Sequence, residues 1–490
     1  MSILLQSIMA PILASAVTLV VGKSMREKTG WVAFLASLYS TLLLSTAFLK
    51  VYSGEVMVER YMSSHLIGAF TLVADGLNAS IALTIAILST VIAVYSIGYM
   101  KGESNLGAYF TLYLLYEAGM IGTVLSSNLA FFFLFFELML LPSWALVAVW
   151  GTGDRVKVAF KYFIFTEAGA LSILAGIAAT RALSGTFDMF KVAAGVGALD
   201  PGLLSAIVSA FLIGFFVKMA IFPLHTWLPD AHAEAPTPIS ALLSPAMIGI
   251  GGYGAMRVLY TCFPMVLHLK VFMMTLGVLA LITMAYGGFM AYAQSDLKRL
   301  LAYSSISQMG YMLFGIASTS PIGVLGAILL YVSHGLCKAS LFMISGIFMH
   351  EFKTRDINML RGLAARMPYT ATAALISFLG LAGAPPILGF WSELYIFLGS
   401  VYTASSGLAL DVTRLSITGL AVVLSILTAG YGLWTVKRIF YGEENELAKT
   451  AHEASVTLLA PAFFLAVFAV VLGVYPGVVM KAFSLLARSV

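Results

Sequence analysis

Six ionisable side chains stand inside long apolar stretches of this sequence. They are Glu117, Glu137, Glu167, Lys218, Lys338 and Glu393. Burial among apolar groups disfavours the charged form of such a residue, whereas a nearby opposite charge favours it. A Glu–Lys pair that can open and close therefore provides a group able to take up and release a proton near neutral pH. Proton transfer is the chemistry that these residues indicate.

The alternative role for such charges is structural, with each pair locking two helices together. Charged pairs far from helix ends are rare and usually functional, which favours transport for Glu137 with Lys218. For Glu117 and Glu167 both roles remain open. Glu167 stands in "FTEAGA", among small residues of the kind that let helices pack closely.

Histidines add a second titratable group to this set. His334 and Lys338 are four residues apart and share one face of a helix. Imidazole titrates near neutral pH and a buried lysine changes its charge readily, so the pair predicts a proton relay, with a purely structural histidine as the alternative. We expect His225 and His232 in a loop near the membrane surface, where proton uptake or release and simple capping are both open.

One single proline and one proline pair interrupt the helices that would carry these charges. Pro223 follows Lys218 in "FFVKMAIFPLHTW", and Pro385 and Pro386 precede Glu393 in "GLAGAPPILGFWSEL". Proline removes a backbone hydrogen bond and breaks or kinks a helix. Broken helices at membrane depth occur where they line a polar cavity, and they mark transport sites.

The composition indicates what surrounds these residues. The chain has 490 residues, of which 60% are hydrophobic and 10% charged, whereas soluble domains carry about 25% charged residues. A water-soluble protein could not bury this much apolar surface. We therefore predict an all-α integral membrane protein.

A bilayer-spanning helix needs about 20 apolar residues, and fourteen stretches qualify. Numbered in chain order, the predicted spans are 3–22, 31–53, 79–100, 107–126, 128–150, 159–181, 203–224, 238–260, 270–293, 298–317, 322–349, 370–400, 415–438 and 456–480. The apolar runs are long and do not alternate, which excludes a barrel.

Lysine and arginine predict the orientation of the spans. Sixteen lie in loops after odd-numbered spans and nine after even-numbered spans or at the C-terminus. Because cytoplasmic loops carry the excess of positive charge, both termini are predicted outside the cytoplasm, in a multi-pass protein of the cell membrane.

Several classes of site are excluded. The net charge of +5 is spread thinly, without a basic patch for nucleic acid. Cys262 and Cys337 have no metal-ligand spacing, so no zinc or iron–sulfur site is predicted. No dinucleotide-binding motif is present. We expect no cofactor, no metal and no redox catalytic site on this chain.

Five segments resemble one family. They are "FFFLFFELMLLPSW", "VKMAIFPLHTWLPDAHAEAPTPISALL", "AQSDLKRLLAYSSISQMGY", "SHGLCKASLFMISG" and "GLAGAPPILGFWSEL". In sequence and order they resemble the antiporter-like subunits shared by respiratory complex I, the Mrp cation/proton antiporters and the membrane-bound energy-converting hydrogenases.

The resemblance implies fourteen helices with two inverted five-helix repeats, spans 4–8 and 9–13, and with spans 7 and 12 broken. The corresponding domains are 1–106, 107–260, 261–440 and 441–490. It also implies a central row of charges, in which Glu137 pairs with Lys218, Lys338 is the relay and Glu393 the terminal group. The glutamate in "GFWSE", without a long C-terminal arm, resembles the chain 4 (M-type) branch.

One position departs from the family pattern. A lysine is common in the middle of span 8, but the aligned residue here is Gly249, in "SPAMIGIGGYGAMR". The link from Lys218 to Lys338 must then run through water or another residue, or the subunit conducts poorly.

Three hypotheses follow. The chain is an ion-translocating subunit of a redox-driven complex, with other antiporter-like subunits and peripheral Fe–S subunits as partners. Alternatively, it is an Mrp-type Na⁺/H⁺ antiporter subunit without a redox partner. The third hypothesis is a structural membrane subunit that has lost transport, for which Gly249 is the support. H⁺ and Na⁺ both remain open as the transported ion.

Overall fold

Helices make up most of the computed structural model, which describes residues 2–64, 67–407 and 409–483. The α-helices of these ranges are α1 (Ile3–Met25), α2 (Thr29–Ser53), α3 (Ala79–Tyr99), α4 (Leu106–Leu125), α5 (Leu129–Trp150), α6 (Arg155–Ser184), α7 (Met189–Val196), α8 (Pro201–Met219), α9 (Leu228–Glu234), α10 (Thr237–Leu242), α11 (Ile248–Arg257), α12 (Lys270–Tyr292), α13 (Leu297–Ala317), α14 (Pro321–Phe352), α15 (Pro368–Leu381), α16 (Leu388–Ser405), α17 (Val412–Phe440), α18 (Glu446–Thr450), α19 (Val456–Val474) and α20 (Gly477–Phe483). A π-helical segment, Leu243–Met247, joins α10 to α11, and another, Val258–Cys262, follows α11.

Eleven helical regions of the described ranges are long and apolar enough to cross a bilayer. The first, Ile3–Ser53, contains both α1 and α2. Predicted span 10, which is α13, and span 12, which is divided between α15 and α16, are not among the eleven. The all-α, multi-pass membrane fold is confirmed, whereas the count of fourteen spans stays a prediction.

Both predicted interruptions are present, and each follows from the chemistry of proline. The ring of a proline clashes with the carbonyl four residues earlier and cannot donate to it. Accordingly α8 ends at Met219, four residues before Pro223, and α15 ends at Leu381, four residues before Pro385. The first break therefore begins one residue after Lys218 rather than five, which corrects the predicted position.

A β-hairpin occupies the segment 54–78, which the sequence analysis treated as a loop. Strands β1 (Met57–Ser64) and β2 (Gly68–Ala74) pair antiparallel. The Glu59 carboxylate accepts the backbone N–H groups of Leu4 and Leu5, both at 3.0 Å, where the first turn of a helix has free donors. The strands of the hairpin are short and alternate in polarity beside much longer apolar runs, so looking for apolar stretches of about 20 residues does not reveal them.

The long helix α14 is enclosed over most of its length. Every residue from Gly323 to Phe348 is buried, as expected for a helix that is apolar on all sides. It packs against α13, α15, α16, α19 and α3. The fold therefore places His334 and Lys338 at the centre of the bundle.

The same backbone bridge occurs twice in the chain. Leu129 N–H donates to Phe187 O and Met189 N–H to Ser127 O, both at 2.9 Å. Leu297 N–H donates to Arg355 O at 3.0 Å and Ile357 N–H to Ser295 O at 2.8 Å. Each bridge ties the start of one long helix, α5 or α13, to the segment after the next long helix, α6 or α14. This correspondence supports the predicted repeat.

Candidate functional site

Lys218 lies at the end of α8, beside the first break. It is buried, and its Nζ has no hydrogen-bond partner in the described part of the chain. The Nζ atom lies 5.1 Å from the centroid of the Phe136 ring, a distance at which a ring face attracts a cation. Trp227, beyond the break, donates its Nε1 hydrogen to Val217 O at 2.9 Å and so caps the helix that carries the lysine.

Glu137 is half-buried on α5, next to Phe136. Its Oε1 atom lacks a hydrogen-bond partner among the residues described. Glu137 is close enough to Lys218 and Glu167 to interact with both electrostatically. The described ranges nevertheless contain no direct ion pair between Glu137 and Lys218, because Lys218 Nζ is without any hydrogen-bonding partner there. The predicted direct pair is thus replaced by two neighbouring charges that do not touch.

Lys338 is fully buried on α14. Its Nζ donates to Ser304 Oγ at 2.6 Å and to Leu301 O at 3.2 Å, both on α13. Ser304 Oγ in turn lies 2.7 Å from the Tyr431 hydroxyl on α17. Hydroxyl groups both donate and accept hydrogen bonds, so this lysine can pass a proton to a neighbour without a carboxylate beside it.

Two histidines lie deeper than expected. His232 is on α9, not in a surface loop, and it is fully buried with its ring 4.9 Å from the Phe342 ring. His225 is buried too, with its ring 4.5 Å from that of Tyr286. The chain folds back after Pro223 into the bundle, which the sequence pattern did not reveal.

Some ring nitrogens are unpaired. Within the described residues, both nitrogens of His232 and Nε2 of His334 have no hydrogen-bond partner. His232 and His334 are near enough to Lys338 to interact with it electrostatically. The structure therefore brings the two histidines and the lysine into one buried group, of which only His334 and Lys338 were grouped from sequence.

Glu393 lies on α16, directly after the second break, and is buried. A Cβ atom at Gly383 would be 2.6 Å from its Oε2 atom, and Gly383 has φ +67°, a conformation that glycine adopts readily. Gln308 of α13 donates to Leu381 O at 3.2 Å, at the carbonyl end of α15. The break thus fits closely around the Glu393 carboxylate.

Glu117 is on α4 and fully buried. Ser37 Oγ of α2 donates to its Oε2 atom at 2.5 Å, while its Oε1 atom has no hydrogen-bond partner as far as the chain is described. Glu117 is therefore separate from the Glu137–Lys218 group in its hydrogen bonding.

Comparison with known proteins identifies the family. Residues 126–418 match the family described as "NADH:quinone oxidoreductase/Mrp antiporter, TM". Residues 62–110 match "NADH-Ubiquinone oxidoreductase (complex I), chain 5 N-terminus". The first match covers more than half of the chain. The chain belongs to this antiporter family.

Individual relatives agree with this family. NAD(P)H-quinone oxidoreductase chain 4 1 of Synechococcus elongatus is 35% identical over 484 residues, which cover 96% of this chain and 87% of the relative. The membrane-bound sulfane sulfur reductase, an archaeal respiratory membrane complex, contains a chain with a TM-score of 0.88 and 25% identity, over 99% of this chain and 98% of that one. The resemblance predicted from the five motifs is confirmed.

The Mrp branch matches in structure as well. A chain of the Mrp complex from a Dietzia species has a TM-score of 0.85 and 26% identity, over 98% of this chain. This chain spans about half of that longer chain, 51%. Relatives of both the redox and the antiporter branches therefore share the fold.

Gly249, where the resemblance leads us to expect a lysine, is on α11. A Cβ atom there would lie 2.5 Å from two carbon atoms of the Tyr331 ring of α14. The ring of Tyr331 thus occupies the space into which a longer side chain at position 249 would extend. A buried tyrosine from another helix therefore borders position 249.

The sequence analysis did not predict one buried ion pair that the structure contains. Asp75 and Arg257 are both buried and bind each other through two hydrogen bonds, of 2.8 and 3.0 Å. The sequence analysis assigned neither residue a role. The turn signal "DGLN" after β2 points to a capping role for Asp75, whose Oδ1 accepts the N–H groups of Leu77 and Asn78, but its long-range partner has no signal in the sequence.

Proposed function

We propose that this chain moves protons across the membrane as a subunit of a redox-driven complex. The observation that carries the proposal is a set of charges that form no ion pair in the described chain: buried Lys218 and half-buried Glu137 on one side, and buried Glu393 on the other, with Lys338 hydrogen-bonded only to neutral groups between them. Stable ion pairs would hold their protons, whereas groups without a fixed partner can exchange them.

The mechanism follows from the geometry of the first group. Lys218 and Glu137 are neighbours without contact, so a small movement at the break after Met219 can bring them together or apart. When they approach, Glu137 favours the protonated amine, and when they separate, the amine releases its proton to the next acceptor. The proton leaves Lys218 as one N–H bond breaks, and an N–H bond forms on Lys338 when that amine receives one.

Partners follow from the relatives. The similar chains are named as parts of quinone oxidoreductases, of an Mrp complex and of an archaeal respiratory membrane complex. We propose that this chain likewise assembles with other antiporter-like subunits and with peripheral Fe–S subunits. An Mrp-type complex without redox partners is the second candidate, favoured by the structural match to the Mrp chain. The subunit composition of the purified complex decides between them.

The orientation of the termini remains a proposal. The basic asymmetry of the loops predicts that both termini face away from the cytoplasm. Arg488, which contributes to that count, and Val490 lie outside the described residues. A topology reporter fused at Val490 should read as external, whereas a cytoplasmic reading means that the number of spans is odd.

Lys338 provides the test of transport. The intact complex, in sealed vesicles, should lose ion uptake driven by its own electron donor when Lys338 is changed to Ala. Lys338→Arg should lose it too, since guanidinium keeps its proton. Lys191→Ala, a lysine with a side chain that is 68% exposed, is the control and should transport normally. Parallel measurement of H⁺ and Na⁺ uptake identifies the ion. Normal transport by both Lys338 variants, in a complex that assembles, would establish a structural subunit instead.

A further inference from the structure

The helical region Thr237–Cys262 interrupts the row of charges. From Thr237 to Met256 it carries no Asp, Glu, His, Lys or Arg, although it packs against both α8, which carries Lys218, and α14, which carries Lys338. The space at Gly249 is closed by the Tyr331 ring, 2.5 Å from an added Cβ atom. A proton that travels from Lys218 to Lys338 therefore needs carriers on the surrounding helices.

The π-helical segment Leu243–Met247 collects hydroxyl groups from three helices. Tyr162 of α6 donates to Met247 Sδ at 3.4 Å, Tyr331 of α14 donates to Ala246 O at 2.8 Å, and Ser305 of α13 bonds Ser244 at 2.7 Å. Short π-helical segments inside longer helices are frequent at functional sites. The region that lacks a lysine is thus ringed by hydroxyl groups.

Tyr162 connects this ring to the first charge group. Its hydroxyl lies 2.7 Å from Ser143 Oγ of α5, the helix that carries Glu137, and it interacts electrostatically with Glu137. Its ring stacks on Trp227 with centroids 4.9 Å apart, which holds the hydroxyl in place beside the break.

Tyr116 of α4 is a third buried tyrosine in this region. It is fully buried, its hydroxyl has no hydrogen-bond partner in the described ranges, and it interacts electrostatically with both Tyr162 and Tyr331. A buried hydroxyl without a partner is costly and calls for an explanation. Because nothing in the described chain holds it, this hydroxyl can turn from one neighbour to the other.

Three side chains on α14 lead from the π-helical segment to Lys338. Tyr331, His334 and Lys338 are spaced by three and four residues and share one face of that helix. His334 Nε2 has no hydrogen-bond partner among the described residues. A parallel contact exists through Ser305, which donates to Leu301 O at 2.9 Å, the same carbonyl that accepts Lys338 Nζ.

We propose that Tyr162, Tyr116 and Tyr331 carry the proton from the Glu137–Lys218 group to His334 and Lys338, in place of a lysine at position 249. The inference rests on the proposed function and names its central route. In each hop a hydroxyl oxygen accepts one proton and releases another, so one O–H bond forms as one breaks. The proton leaves the ammonium of Lys218 and ends on the neutral amine of Lys338, and no oxidant or reductant is needed.

Phenylalanine variants test the route, because they remove the hydroxyl and keep the ring. In vesicles that contain the intact complex, Tyr116→Phe and Tyr331→Phe should each lower the initial rate of proton uptake at least about tenfold, the scale of a lost proton-transfer group. The double variant should be no slower than the slower single variant, since a series route broken once is already closed. Tyr95→Phe is the matched control: its buried hydroxyl donates to Met343 O of the same α14 at 2.9 Å.

The outcomes separate the route from the proposed function. If Tyr116→Phe, Tyr331→Phe and their double variant transport normally while Glu137→Gln and Lys338→Ala do not, the tyrosine route is wrong and the function stands. If none of these variants loses transport, both fail. Equal losses in Tyr331→Phe and Tyr95→Phe, with equally lowered thermal stability, would mean a packing role and overturn the route. Recovery of transport in the double variant Tyr331→Ala/Gly249→Lys would support it further.

Discussion

Two acid–base pairs in this protein are built in opposite ways. Asp75 and Arg257 share two hydrogen bonds, and Arg257 Nε also bonds the Tyr253 hydroxyl at 3.2 Å. Glu137 and Lys218 are neighbours, but within the described chain Lys218 Nζ and Glu137 Oε1 bond nothing. Guanidinium forms rigid paired bonds and keeps its proton, whereas lysine releases its proton readily when buried. The first pair ties the turn between β2 and α3 to α11, and the second can switch.

Breaking the locked pair should have the largest effect. Arg257→Met leaves Asp75 buried without its counter-charge, which costs about 3–5 kcal/mol for a buried pair. We expect little assembled complex, measured as purified yield and thermal midpoint, while the surviving complex transports at a normal rate. The double variant Asp75→Asn/Arg257→Met should recover part of the yield. Normal yield for Arg257→Met alone would mean that the pair does not lock the fold.

Changing the second pair should affect transport and leave stability alone. Glu137→Gln keeps the shape of the side chain but removes the charge that acts on Lys218, so ion uptake should fall about tenfold or more. The thermal midpoint should stay close to that of the unchanged complex, because no direct ion pair is lost. Glu446→Gln removes an exposed partner of Lys449 and serves as the control. A large loss of stability in Glu137→Gln would contradict the contrast between the two pairs.

Two glycine substitutions separate the effect of backbone strain from the effect of close contact with Glu393. Gly383→Ala places a Cβ atom 2.6 Å from Glu393 Oε2 and forces an unfavourable backbone, so it should lower both stability, by about 1–2 kcal/mol, and transport. Gly102→Ala meets the same kind of backbone, at φ +86°, but no atom within 4 Å of the added Cβ. It should lose stability alone. Equal transport in the two variants would show that the fit around Glu393 is irrelevant to function.

The smallest effect is expected at an exposed pair. Lys270 Nζ lies 2.9 Å from Asp411 Oδ2, and the hydrogen bond from Lys270 lowers the pKa of Asp411 below its ordinary value. A lowered carboxyl pKa contributes stability above the unfolded-state value of about 3.9, and that contribution is lost as pH falls through the folded-state pKa. Asp411→Asn should therefore cost at most about 1 kcal/mol at pH 7, and this cost should shrink as the pH falls through the folded-state pKa, as measured by thermal unfolding. A cost that stays constant with pH would assign it to helix capping.

The membrane fold and the presence of the two breaks could be read from the sequence alone. Apolar runs of about 20 residues predict spanning helices because backbone groups cannot stay unpaired in hydrocarbon. Pro223 and Pro385 predict breaks because their rings exclude the carbonyl four residues earlier. The hairpin at Met57–Ala74 was missed, since its strands are short and alternate among much longer apolar runs. These features are local, and the residues that determine them are close together in the chain.

Which charges meet was decided only by the tertiary structure. Asp75 and Arg257 are 182 residues apart, and the pattern around neither predicts the other. Local sequence likewise gave no sign that Tyr331 fills the space beside Gly249, or that His232 folds into the bundle against Phe342. The sequence by itself determined that charges lie within the membrane and that helices break beside them, because those properties depend on short stretches. The packing of distant helices determined which charges are locked and which remain free to exchange a proton, because hydrogen bonds depend on distances that only the folded bundle sets.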